Sequence, residues 1–171
     1  PWKNIDSIIK SMSILKNKNI DFELVIVGSG PLEKKLKNLV EHFELEEQIM
    51  FTGQKTASEL AEYYKKSEIY IQASGYEGLP HVLLEAINYN LTLVSTPVGG
   101  SNEVLESGKN GWILDLVDGV KPDPVSLYNI IIDIKDSNES RERKLSNAKN
   151  LLKEKFDEDK NLIKYLEVFQ S

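Results

Sequence analysis

With 171 residues, of which 40% are hydrophobic and 28% charged, the chain has the size and balance of one globular domain with a core of its own. A net charge of −6 leaves no electrostatic footprint for nucleic acid, and the absence of cysteine removes disulfides, thiolate nucleophiles and cysteine metal sites in one step. Two lone histidines, His42 and His81, cannot form a histidine-rich metal cage, and no apolar stretch is long enough to span a bilayer.

The first expected element is a helix. Ile5, Ile8, Ile9, Met12 and Leu15 recur at the spacing of one helix face, with Asp6 and Ser7 in the first turn and the polar run 16–19 at the end. Leu24 to Val27 is a continuous apolar run, the pattern of a strand covered on both faces in a parallel sheet. Gly28-Ser29-Gly30 follows, and Pro31 opens a helix from Leu32 to Phe43 with apolar positions at 32, 36, 39, 40 and 43. Ile49 to Thr52 is a short strand. Thr56-Ala57-Ser58-Glu59 reads as a capping box opening a helix that runs to Lys66. Glu68 to Gln72 is the third strand, Leu91 to Ser95 the fourth and Trp112 to Leu114 a short fifth. Strands alternate with helices throughout, so the class is α/β: a Rossmann-like, doubly wound parallel sheet flanked by helices. Beyond Asp115 the pattern changes. Residues 118–124 form a turn-rich connection, and Pro124 to Ile134 is helical with Leu127, Ile130, Ile131 and Ile134 on one face. The charged run 136–142 reads as a loop, and two further helical stripes follow, Leu145 to Phe156 and Leu162 to Phe169.

The chain is organised around residues 74–111. A polar, glycine-bearing loop, Ser74-Gly75-Tyr76-Glu77-Gly78-Leu79, follows the third strand, and Pro80 sits where a missing N–H costs nothing at a helix start. That helix runs from His81 to about Tyr89, with Asn90 as a left-handed stop. Glu77 lies in the loop and Glu85 in the second helical turn, with seven residues between them. Both can face one crevice with the free N–H groups of the helix start between them. Those N–H groups and the helix dipole suit phosphate oxygens. Carboxylates repel phosphate and are better suited to accept hydrogen bonds from neutral hydroxyls. A ligand with hydroxyls at both ends and phosphate in the middle, such as a nucleotide sugar, matches that order.

Glu77-Gly78-Leu79-Pro80-His81-Val82-Leu83-Leu84-Glu85-Ala86 resembles the E-x7-E signature of group 1 (family four) glycosyltransferases, retaining enzymes of the GT-B fold. Leu24-Val25-Ile26-Val27-Gly28-Ser29-Gly30-Pro31, Phe51-Thr52-Gly53 and Pro97-Val98-Gly99-Gly100 with Glu103 stand in the same order and spacing as in that family. The resemblance covers Pro1 to about Asp115 and implies roles for individual residues. Glu77 lies near the donor sugar and Glu85 holds the ribose hydroxyls. Lys3 matches a lysine that, with an arginine absent here, clamps the donor diphosphate. Gln54 and Lys55 sit near the nucleobase, with a plain surface loop as the equal alternative. Gly78, Leu79 and Pro80 act through the backbone at the helix entry, beside His81, which is given no proton-transfer role. Gly28 belongs to a strand-to-helix loop, and Gly99-Gly100 forms either the floor of the donor pocket or a plain turn. The family's domain begins with a central strand carrying the missing arginine.

The chain starts Pro-Trp-Lys without an initiator methionine and reads as a fragment of something longer. The expectation is therefore the C-terminal, donor-binding half of a GT-B enzyme over residues 1–171, with an acceptor domain missing from it. Its partners would be a nucleotide-sugar donor and, through the missing domain, an acceptor glycan, lipid or protein. No Asp-x-Asp stands in the organising stretch, in keeping with transfer that needs no metal or other cofactor. A cytoplasmic protein, touching the membrane only through the missing domain, is expected. A nucleotide-sugar epimerase or glycan phosphorylase of the same architecture, or a non-catalytic nucleotide-binding module, stays open.

Overall fold

The computed structural model describes residues 2–76, 78 and 81–155. Strands and helices alternate as the apolar periodicities predict: α1 (Ile5–Asn17), β1 (Leu24–Val27), α2 (Glu33–His42), β2 (Ile49–Gly53), α3 (Ala57–Lys66), β3 (Ile69–Gln72), α4 (His81–Asn88) and β4 (Thr92–Ser95). A single turn, α5 (Ser101–Val104), precedes β5 (Trp112–Ile113). The hairpin β6 (Leu116–Val117) and β7 (Lys121–Pro122) then leads to the C-terminal helices α6 (Pro124–Asp136) and α7 (Asn138–Lys155).

β4 lies between β3 and β5, parallel to both, with Ile69 opposite Thr92 and Val94 opposite Trp112. β1 pairs in parallel with β2 from Leu24 opposite Ile49, with an irregularity after Ile26. Among the described residues the five parallel strands thus hydrogen-bond as two groups, β1–β2 and β3–β4–β5. The strand that the resemblance places in the centre of the sheet is not among them.

Two apolar clusters cover the two faces. Ile8, Ile9, Met12 and Leu15 of α1 meet Val94, Trp112, Leu127 and Ile134 on one side. Tyr64, Leu83, Ile87, Leu93 and Ala148 meet on the other. Consecutive residues Leu93 and Val94 go to opposite clusters, as the period-two alternation of a strand requires. A helix layer on each face makes the arrangement doubly wound.

The capping box of α3 forms in both directions: the Thr56 hydroxyl accepts from the Glu59 N–H, and the Thr56 N–H donates to the Glu59 carboxylate at 2.9 Å. Asn90 takes the left-handed conformation, φ 65°, and stops α4 as expected. Two expectations are corrected. Residues 138–142 are the first turns of α7, not a loop; their charges are a solvated helix face. The connection 118–124 is not turn alone, because Leu116 pairs with Pro122 and Val117 with Lys121 across an Asp118-Gly119 turn with φ 54° and 70°. Phe156 and the stripe at 162–169 lie outside the described residues. Among the described residues no helix is long and apolar enough to cross a membrane.

Candidate functional site

The carboxyl ends of β1 and β3 meet at residues 2–4. Gly28 follows β1 with φ 114°, a conformation that side-chain-bearing residues rarely adopt, and its N–H donates to the Gly53 carbonyl at 2.8 Å. That bond brings the loop after β2, with Gln54 and Lys55, beside the Gly28 loop. Lys3, Asp6, Gly28, Ser29 and Glu33 line one cleft of about 290 Å³. The starts of α1 and α2 both open on it beside Lys3; helix starts and a lysine suit anions, while the Asp6 and Glu33 carboxylates in the same cleft oppose them.

Asn4 ties this cleft to the loop after β3. It is buried, holds the left-handed conformation (φ 46°), and its carbonyl accepts from the Ser7 N–H at 3.0 Å to begin α1. Its side-chain amide donates to the Ala73 carbonyl at 2.9 Å and to the Val120 carbonyl at 3.2 Å. The Gly75 N–H donates to the Trp2 carbonyl at 2.7 Å. Lys3 therefore sits between two residues bonded to residues 73 and 75. A Cβ on Gly75 would stand 3.0 Å from the Val120 carbonyl oxygen and 3.4 Å from the Asn4 amide nitrogen. Gly75→Ala is expected to push the β6–β7 turn away from Asn4 at a cost of about 1–2 kcal/mol, within the usual range for overpacking. Chemical denaturation would read it; unchanged stability would mean the three segments are not locked together.

The loop after β4 is held against the loop after β3. The Thr96 N–H donates to the Gln72 carbonyl at 3.0 Å, and its hydroxyl to the Ser74 carbonyl at 2.6 Å. The Gly100 N–H donates to the Gly78 carbonyl at 3.2 Å, and the Gln72 amide to the Ser101 hydroxyl at 3.3 Å. Gly99-Gly100 and Gly78, far apart in sequence, are thereby neighbours at one rim.

Lys3 and Gly28 share the cleft, and Gly78 and Gly100 are joined. Glu77, Leu79 and Pro80 lie outside the described residues. His81 is the exposed first residue of α4. Gln54 is exposed, and Lys55 lies 3.4 Å from Glu59 in the cap of α3. The Thr56 N–H, then its hydroxyl and Lys55, hold the Glu59 carboxyl below the usual range. Glu85 is exposed and receives a hydrogen bond from Tyr64 of α3. Reading the sequence missed Asn4, Tyr64 and Thr96, and it took 118–124 as a turn-rich connection without the paired strands β6 and β7. Only the Asp118-Gly119 pair carried a local signal, that of a tight hairpin turn. Among the described residues no group of three or more metal-ligating side chains converges.

The sequence matches the family described as glycosyl transferases group 1 over residues 1–151. An uncharacterized glycosyltransferase of Methanocaldococcus jannaschii is 31% identical over 99% of this chain and 42% of its own length. Among solved structures, Anabaena HepE in complex with UDP superimposes with a TM-score of 0.83 at 20% identity, covering 99% of this chain and 46% of HepE. The C-terminal domain of the group 1 family protein LpcC from Francisella tularensis gives 0.76 at 22% identity, over 91% of this chain and 80% of that domain. The chain thus spans less than half the length of the archaeal relative and of HepE.

Proposed function

Because the chain belongs to the group 1 glycosyl transferases, we propose that it is the donor-binding half of a longer, retaining enzyme that moves a hexose-type sugar from a nucleoside diphosphate to an acceptor hydroxyl. The observation that carries this reading is the meeting, at one strand rim, of Lys3, the Gly28 loop and two helix starts. The complex of HepE with UDP lends it support.

In this reading the diphosphate lies against Lys3 and the helix N–H groups. As the bond to the sugar breaks, negative charge grows on the leaving diphosphate, and fixed donors already aimed there stabilise it without a metal. Glu85 takes the ribose hydroxyls, and Glu77 stands at the sugar. Gly78, Leu79, Pro80 and His81 form the helix entry between them. Gly99-Gly100 floors the pocket, and Gln54 and Lys55 flank the base. The acceptor, a glycan, lipid or protein, docks on another domain, so the 1–171 chain binds donor but does not transfer.

A thermal-shift screen of nucleoside diphosphates and nucleotide sugars tests this. At 100 times its Kd a ligand should raise the melting temperature by roughly 5–10 °C for a domain of this size. The shift should persist with a chelator present. No shift with any of them would overturn the reading, and a shift that requires a divalent cation would overturn its metal-free part.

A further inference from the structure

Glu85 is exposed on the second turn of α4, where a free glutamate would sample many rotamers. Here it has an anchor. The Tyr64 hydroxyl donates to Glu85 Oε2 at 3.3 Å. Tyr64 is only 7% exposed, stacked on Tyr89 with ring centroids 5.1 Å apart and tilted against Tyr70 at 6.0 Å. Its hydroxyl is thus fixed by rings from β3 and from the turn after α4. Burial, then the neighbouring Tyr70 and Glu85, push the phenol above its usual range, so like an ordinary phenol it keeps its proton at neutral pH. The bond occupies Oε2 and leaves Oε1 to accept from a ligand.

We infer that Tyr64 is a positioning residue: it holds the Glu85 carboxylate in the orientation that receives the ribose hydroxyls of a nucleoside diphosphate. This rests on the role proposed above for Glu85. Tyr64→Phe keeps the ring and its packing and removes only the hydroxyl. The ligand must then order the carboxylate itself, which costs the entropy of immobilising one flexible side chain.

The test is calorimetric titration of the 1–171 chain and of Tyr64→Phe with ADP, CDP, GDP and UDP and with the 2′,3′-dideoxy form of each. Tyr64→Phe should weaken the ribonucleotide that binds by roughly 2- to 10-fold, the equivalent of one ordered side chain, and leave its dideoxy form unchanged. In a Glu85→Ala background the same substitution should add nothing. Equal weakening of both sugar forms would make Tyr64 a packing residue, and no weakening of either would make it idle; both results overturn the proposal. Equal binding of the two forms by the parent chain would remove Glu85 from the ribose. If none of the four bound the parent chain, the donor-site reading itself would fall, and this proposal with it.

Discussion

Glu85→Gln is expected to weaken nucleoside diphosphate binding by roughly 1–3 kcal/mol, the scale of a hydrogen bond to a charged group, which is about 5- to 150-fold in Kd. The fold should be untouched. A glutamine carbonyl still accepts from Tyr64, and position 85 lies on the exposed side of a helix whose Leu83, Ala86 and Ile87 are buried. Calorimetry against a ribonucleoside diphosphate reads the effect. Unchanged affinity would return Glu85 to a structural role as the partner of Tyr64.

Glu77→Ala should separate turnover from nucleotide binding. A plain nucleoside diphosphate carries ribose and phosphates but no donor sugar, so the 1–171 chain should bind it nearly as well after the substitution. In the longer enzyme the same change should slow transfer by about 100- to 1000-fold, the scale seen when one group that stabilises a transition state is removed. An interaction made by the reacting sugar is expressed in turnover rather than in nucleotide affinity. Diphosphate binding abolished while transfer persists at saturating donor would reverse the roles given to Glu77 and Glu85.

What the sequence made legible follows the range of the interactions involved. The face of α1, the capping box at Thr56 and Glu59 and the left-handed stop at Asn90 are local, and all three stand in the structure. The start of α7 was hidden because a charged, solvated helix face looks like a loop when the helix's buried positions begin only at Lys144 and continue at Ala148 and Leu151. The β6–β7 strands have two residues each, too few to show alternation. At the candidate site Lys3 and Gly28 share a cleft and Gly100 bonds to Gly78, but the sequence did not show what holds them there. Asn4 reaches Val120 across 116 positions and Tyr64 reaches Glu85 across 21, and neither pairing leaves a mark on local periodicity. Such contacts belong to topology, which sets how strand ends gather at one rim.

In the proposed function a nucleoside diphosphate lies at that rim, between Lys3 and the helix starts. The most direct measurement is a map of backbone amide chemical shifts of the 1–171 chain during titration with the nucleoside diphosphate that stabilises it. The largest changes are expected on residues 3–6, 28–33, 78 and 99–101, with Glu85 and Tyr64 responding to ribo but not to dideoxy forms. Changes concentrated instead on α6 and the outer face of α7, with the rim silent, would contradict it.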